Sequence, residues 1–187
     1  MPHHAAPSCR PPWYVAPRFA PEARAKPVRI VNVASAAHAF GKIDFDSFRS
    51  SKGYSEWPTY GQSKLANILF TYELARRLKG AGVPTVNALH PGVVRTELGR
   101  YLLSDDASFL TKAMWSLMTP FTKTPVQGAQ TSIFLASSPE AEGITGKYYS
   151  DCKPISSTPA SYDVDVAKKL YDVSLELVGA PVSSTVA

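Results

Sequence analysis

Three residues of this 187-residue chain have types and spacing suited to proton transfer: Ser35, Tyr60 and Lys64. Tyr60 and Lys64 are four apart, so on a helix they share one face. An ammonium beside a phenol favours the phenolate. A tyrosine placed that way can give a proton to a carbonyl oxygen or take one from an alcohol. Ser35 follows the apolar run Val31-Asn-Val-Ala, and a hydroxyl at the carboxyl end of a strand lies where ligands of open α/β sheets bind. Taken alone, a Tyr-x-x-x-Lys spacing is common by chance, and an exposed helix end can hold one with no role.

The elements that must position these groups are legible in the apolar pattern. Val28 to Ala34 is a short β-branched run, with Ile30, Val31 and Val33 suited to a strand covered on both faces. Residues 38–57 read as a loop. The spacing of Leu65, Ile68, Leu69, Tyr72, Leu74 and Leu78 predicts a helix over Tyr60–Lys79, ended by Gly80 and Gly82. A second strand is expected over Thr85–His90, stopped by Pro91-Gly92. Thr124 and Pro125 have the character of an N-cap and first helical position, for a helix reaching about Ala136. A third, short strand is expected over Gly146–Ser150. Asp163 to Val178 is an amphipathic helix through Val166, Leu170, Val173, Leu175 and Leu177. This alternation predicts an α/β fold with a parallel sheet.

Composition narrows the function classes. The chain is 44% hydrophobic and 19% charged, a balance typical of a globular protein. Its net charge of +5 includes no dense basic cluster, which argues against nucleic acid as a partner. Cys9 and Cys152 lie far apart in sequence and suggest neither a disulfide framework nor a metal site, so a reducing compartment fits best. No apolar run approaches the roughly 20 residues that span a bilayer. Residues 1–27 hold seven of the 16 prolines and read as a poorly ordered, extended lead-in, with a flexible tail expected over 181–187. The apolar patch Met114 to Phe121 reads as a lid over a lipophilic substrate, as ordinary core packing, or as a membrane-surface contact.

Val31-Asn-Val-Ala-Ser35, Tyr60-Gly-Gln-Ser-Lys64 and His90-Pro-Gly-Val-Val-Arg-Thr96 resemble three successive motifs of the short-chain dehydrogenase/reductase family. The surrounding text resembles its retinol-dehydrogenase-like branch: Ser63 to Lys79 matches that branch's active-site helix nearly residue for residue. Lys123-Thr-Pro-Val-Gln-Gly-Ala-Gln-Thr-Ser132 and Tyr149-Ser-Asp-Cys152 resemble its later segments. The likeness covers roughly residues 28–180. It implies that Ser35 hydrogen-bonds the substrate oxygen, Tyr60 is the general acid/base, and Lys64 supports Tyr60 and holds the nicotinamide ribose. Pro91, Gly92, Val94 and Thr96 would line the nicotinamide. The implied cofactor is NADP, with NAD as the alternative. The implied substrates are small lipophilic alcohols, aldehydes or ketones. A homodimer is a further implication; cytoplasmic localisation is expected from the cysteine usage, and peripheral membrane contact from the Met114–Phe121 patch. Ala34 stands where the family usually has the first serine of a pair.

The family's Thr-Gly-x-x-x-Gly-x-Gly turn occurs nowhere in the 187 residues, nor does its Asn-Asn-Ala-Gly segment. The fold expected by resemblance is therefore an incomplete Rossmann-type parallel sheet with flanking helices, lacking its first strands and glycine-rich turn. The strand at Val28 would have an open edge, an aggregation hazard. Two functions follow: an oxidoreductase truncated at its N-terminal side, or a non-catalytic truncated paralogue that acts as a binding or dimerisation partner.

Overall fold

The computed structural model describes residues 28–49, 53–79, 84–94 and 122–180. The proline-rich lead-in, the tail from 181, the patch at 114–121, Gly80, Gly82 and Thr96 lie outside the described residues.

Among the described residues the sheet has four strands in the order β1-β2-β3-β4. They are β1 (Arg29–Val33), β2 (Thr85–Leu89), β3 (Tyr148–Ser150) and β4 (Lys153–Ile155). The first three run parallel, and β4 turns back antiparallel to β3. Among the described residues three α-helices flank them: α1 (Glu56–Arg77), α2 (Pro125–Ser137) and α3 (Val164–Leu177). Every residue of β2 is buried, as expected for a central parallel strand covered on both faces. β1 departs from that expectation, being only partly buried with Val33 47% exposed. The reason is topological: among the described residues β1 pairs with β2 alone, and its other edge is open.

Helix α1 packs on one face of the sheet, where Ile68 and Tyr72 meet Ala34, Ala88 and Tyr148. The apolar stripe of α3 lies on α1, its Ala167 and Leu170 against Leu65 and Leu69. Arg77 reinforces this contact by bonding both Glu73 on α1 and Asp172 on α3. Helix α2 covers the opposite face through Leu135, against Leu89 and Tyr149. Arg29 of β1 donates to the carbonyls of Leu135 and Ser138, so a cation closes the C-terminus of α2.

Local chemistry explains most element ends. Thr124 and Gln127 form a reciprocal capping box at α2, and the Asp163 carboxylate accepts from Asp165 and Val166 at α3. Two further elements differ from expectation, and the expected loop at 38–57 holds a 3-10 turn over Phe45–Arg49. Helix α1 begins at Glu56 rather than Tyr60, because Pro58 sits in the first turn, where no backbone donor is required. Strand β4 has no counterpart among the expected elements, since a three-residue, exposed strand containing Pro154 has no apolar period to read. Cys152 is buried, and its amide donates to the Thr131 hydroxyl; Cys9 lies outside the described residues.

Candidate active site

Ser35 follows β1 at its carboxyl end and caps a short 3-10 turn over Ala36–Phe40. Its Oγ accepts from the Ala37 amide at 3.2 Å, which leaves the hydroxyl proton free to donate elsewhere. His38 holds this turn in place. Its Nδ1 bonds the Ser35 carbonyl at 2.7 Å, and its Nε2 accepts from the Thr158 amide at 3.2 Å. Those two partners require the tautomer with the proton on Nδ1.

The turn lies directly on α1. A Cβ at Gly41 would sit 2.3 Å from the Gly61 carbonyl oxygen, and one at Gly61 would sit 3.1 Å from the Ala37 carbonyl oxygen. Gln62 accepts from the Asp44 amide and donates to the Ser47 hydroxyl, tying the following loop to the same helix. Asn67 donates to the Val33 carbonyl at 3.0 Å, and Asn32 donates to Thr71 at 2.8 Å. Strand β1 and helix α1 are thus bolted together next to Ser35.

Tyr60 lies just past the first turn of α1, not at the helix opening, and is 38% exposed. Lys64, one turn on, places its ammonium 5.3 Å from the centre of the Tyr60 ring. The shared face expected from the four-residue spacing is therefore present. The turn that follows Ser35 packs on α1, the helix that carries Tyr60 and Lys64.

The Pro91-Gly92-Val93-Val94 loop leaves β2 beside Ser35, because Val33 and Leu89 are register partners and the Ala34 amide donates to the Leu89 carbonyl. Gly92 has φ +84, and a Cβ there would lie 2.9 Å from the Lys123 side chain. The Gly92 amide donates to His90 Nδ1 at 3.0 Å. Burial, then the charge of Lys123, pushes His90 below its ordinary value. In the unfolded chain this imidazole binds a proton more readily, so stability is expected to rise with pH up to about 6.5 and then level off. An NMR titration of His90 checks this: the midpoint should fall below about 6.5, whereas a midpoint above it would contradict the buried, proton-accepting Nδ1.

A different concavity, of about 290 Å³, lies toward β4 and is lined by Tyr72, Tyr148 and Tyr162. Burial pushes Tyr148 up to about 12 and raises Tyr72 further. Both therefore stay neutral near physiological pH, which suits them poorly to proton exchange.

The residues present fit one end of a dinucleotide. By the resemblance, Tyr60, Lys64 and the Pro91–Val94 loop are the residues expected to meet a nicotinamide and its ribose. No glycine-rich turn of the type that meets a pyrophosphate exists in the sequence. Sequence reading missed His38, Asn32, Asn67 and Thr71, whose contacts are tertiary; the one hint was polar side chains recurring within the apolar text of β1 and α1.

A mostly parallel sheet with helices on both faces defines a Rossmann-type α/β protein. A family model described as enoyl-(acyl carrier protein) reductase matches residues 8–151. Human retinol dehydrogenase 14 is 52% identical over 154 residues, covering 82% of this chain and 45% of that protein. Human retinol dehydrogenase 12 is 48% identical over 153 residues, covering 82% and 46% respectively. A crystal structure of an uncharacterised protein from Mycobacterium paratuberculosis superposes with a TM-score of 0.58 at 27% identity, covering 84% of this chain and 52% of that one. The chain belongs to the short-chain dehydrogenase/reductase family and is retinol-dehydrogenase-like in sequence. It spans about half the length of the curated relatives it matches.

Proposed function

We propose that this chain is the catalytic, C-terminal part of an NAD(P)-dependent oxidoreductase acting on a lipophilic alcohol, aldehyde or ketone. The observation behind this reading is the Lys64 ammonium set 5.3 Å from the Tyr60 ring, on a helix against which the turn following Ser35 packs.

Each group has a definite task. The Ser35 hydroxyl donates to the substrate oxygen and fixes its direction. The Tyr60 hydroxyl gives its proton to that oxygen during reduction, or its phenolate accepts the alcohol proton during oxidation. Lys64 stabilises the phenolate and holds the ribose hydroxyls. Pro91, Gly92 and Val94 form the wall against the nicotinamide, and Thr96, outside the described residues, would extend it. When bound, the nicotinamide cofactor supplies or receives the hydride. NADP is the preferred nucleotide, as an expectation from the resemblance. Retinoid substrates are suggested by the names of the relatives.

Among the described residues no helix is long and apolar enough to cross a membrane. A cytoplasmic enzyme that dimerises through α1 and touches a membrane surface is the setting we propose. The direct test is a turnover assay of the folded chain with NADPH and either retinal or a simple aldehyde. Steady cofactor oxidation would support the reading. Its absence would favour the non-catalytic binding partner.

A further inference from the structure

The two later segments that resemble the family, Lys123–Ser132 and Tyr149–Cys152, hold none of the residues given a catalytic task above, yet the fold gathers them around the loop that follows β2. The Lys123 amide donates to the Val93 carbonyl at 2.7 Å, and Val94 and Lys123 form an isolated parallel bridge. The Lys123 side chain then runs along Gly92, where its Cε and Nζ would be 2.9 Å from any added Cβ. Its ammonium ends in an ion pair with Asp151. The His90 amide donates to the Tyr149 carbonyl at 3.0 Å. Gly128 leaves room for Val94, since a Cβ there would lie 2.5 Å from the valine Cγ2. The Cys152 amide donates to the buried Thr131 hydroxyl at 3.2 Å.

The turn that presents Asp151 is itself unusual. Asp151 and Cys152 have φ of 50° and 60°, a left-handed conformation that ordinary side chains avoid. Tertiary contacts hold it, and they aim the carboxylate back toward Lys123. The hydrogen bond from the lysine beside it keeps the Asp151 carboxyl below its ordinary value. The two side chains are 24% and 60% exposed, and a pair this open adds little to global stability. Its effect is expected to be local.

We propose that the Lys123–Asp151 pair is a latch that fixes the His90–Val94 loop and so sets the edge of the cofactor site. Both are positioning residues, acting through Gly92 and Val94. The geometry of the latch is independent of the nicotinamide reading above; its consequence for cofactor binding rests on that reading.

The test compares the full chain with Lys123→Met, Asp151→Asn, Lys123→Arg and the swapped pair Lys123→Asp with Asp151→Lys. Hydrogen exchange at the Gly92 and Lys123 amides is measured beside NADPH affinity and thermal midpoint. Each charge-removing variant should speed exchange at those amides and weaken NADPH on the order of tenfold, with the midpoint nearly unchanged. Lys123→Arg should behave as the parent, and the swap should recover part of both effects. Unchanged exchange in both single variants would overturn the latch. So would loosening in Lys123→Met alone, since the lysine would then act without its partner. A chain that binds no NADPH would count against the proposed function instead, with the exchange data still deciding the latch.

Discussion

Replacing Tyr60 by phenylalanine is expected to lower carbonyl reduction on the order of 10²–10⁴-fold, the usual contribution of one positioned acid. The change removes a single oxygen from a side chain that is 38% exposed, so packing should be almost untouched. The thermal midpoint should stay with that of the parent, and the rate loss should appear in kcat/KM. Lys64 offers an internal control, because Lys64→Met keeps the aliphatic stem and deletes the charge set against the ring. That variant should lose rate and also bind the cofactor more weakly, since the ammonium has two proposed tasks. A Tyr60→Phe chain that turns over as fast as the parent would remove Tyr60 from the chemistry altogether.

The second large effect is on folding. Gly41→Val should destabilise the chain by about 3 kcal/mol, the upper end of ordinary overpacking. The reason is that the new Cβ would meet the Gly61 backbone oxygen at 2.3 Å. Backbone cannot rotate away as a side chain can, so either the Ser35 turn or α1 must shift. For a domain of this size the midpoint would fall by roughly 6–12 °C. Gly41 has φ −70, so the cost is contact alone. Gly53 supplies the contrast: its φ is +76 with nothing within 4 Å, and Gly53→Ala should cost only about 1 kcal/mol of backbone strain. Equal losses at the two positions, read by thermal unfolding, would mean that the turn does not press on α1.

How much of this was readable in advance depended on whether the signal was local. Strand β2, α2 and α3 were legible because each carries its own period, cap or stop: Pro91 after Leu89, Thr124-Pro125 before α2, Asp163 before α3. The Tyr60–Lys64 face was legible because helical spacing is a property of the segment itself. The start of α1 was obscured by Pro58, which reads as a breaker but fits a first turn. Strand β4 exists through pairing with β3 after a left-handed turn, and pairing leaves no mark in a three-residue string. His38 and Asn67 matter because they bond the Ser35 and Val33 carbonyls, partners that only the assembled sheet brings near. Lys123 and Asp151 are 28 residues apart in sequence and meet for the same reason. Among the described residues β1 pairs with β2 alone.

The measurement to make first is a titration of the purified 187-residue chain with NADPH, followed by heat unfolding. If Tyr60, Lys64 and the Pro91–Val94 loop form the nicotinamide end of a cofactor site, the midpoint should rise and saturate. At about 100 times Kd the stabilisation should be about 2.7 kcal/mol, or roughly 5–11 °C for a chain of this length. A folded chain whose midpoint does not move with NADPH or NADH would contradict that site, leaving Ser35, Tyr60 and Lys64 as an inherited arrangement with no cofactor to serve.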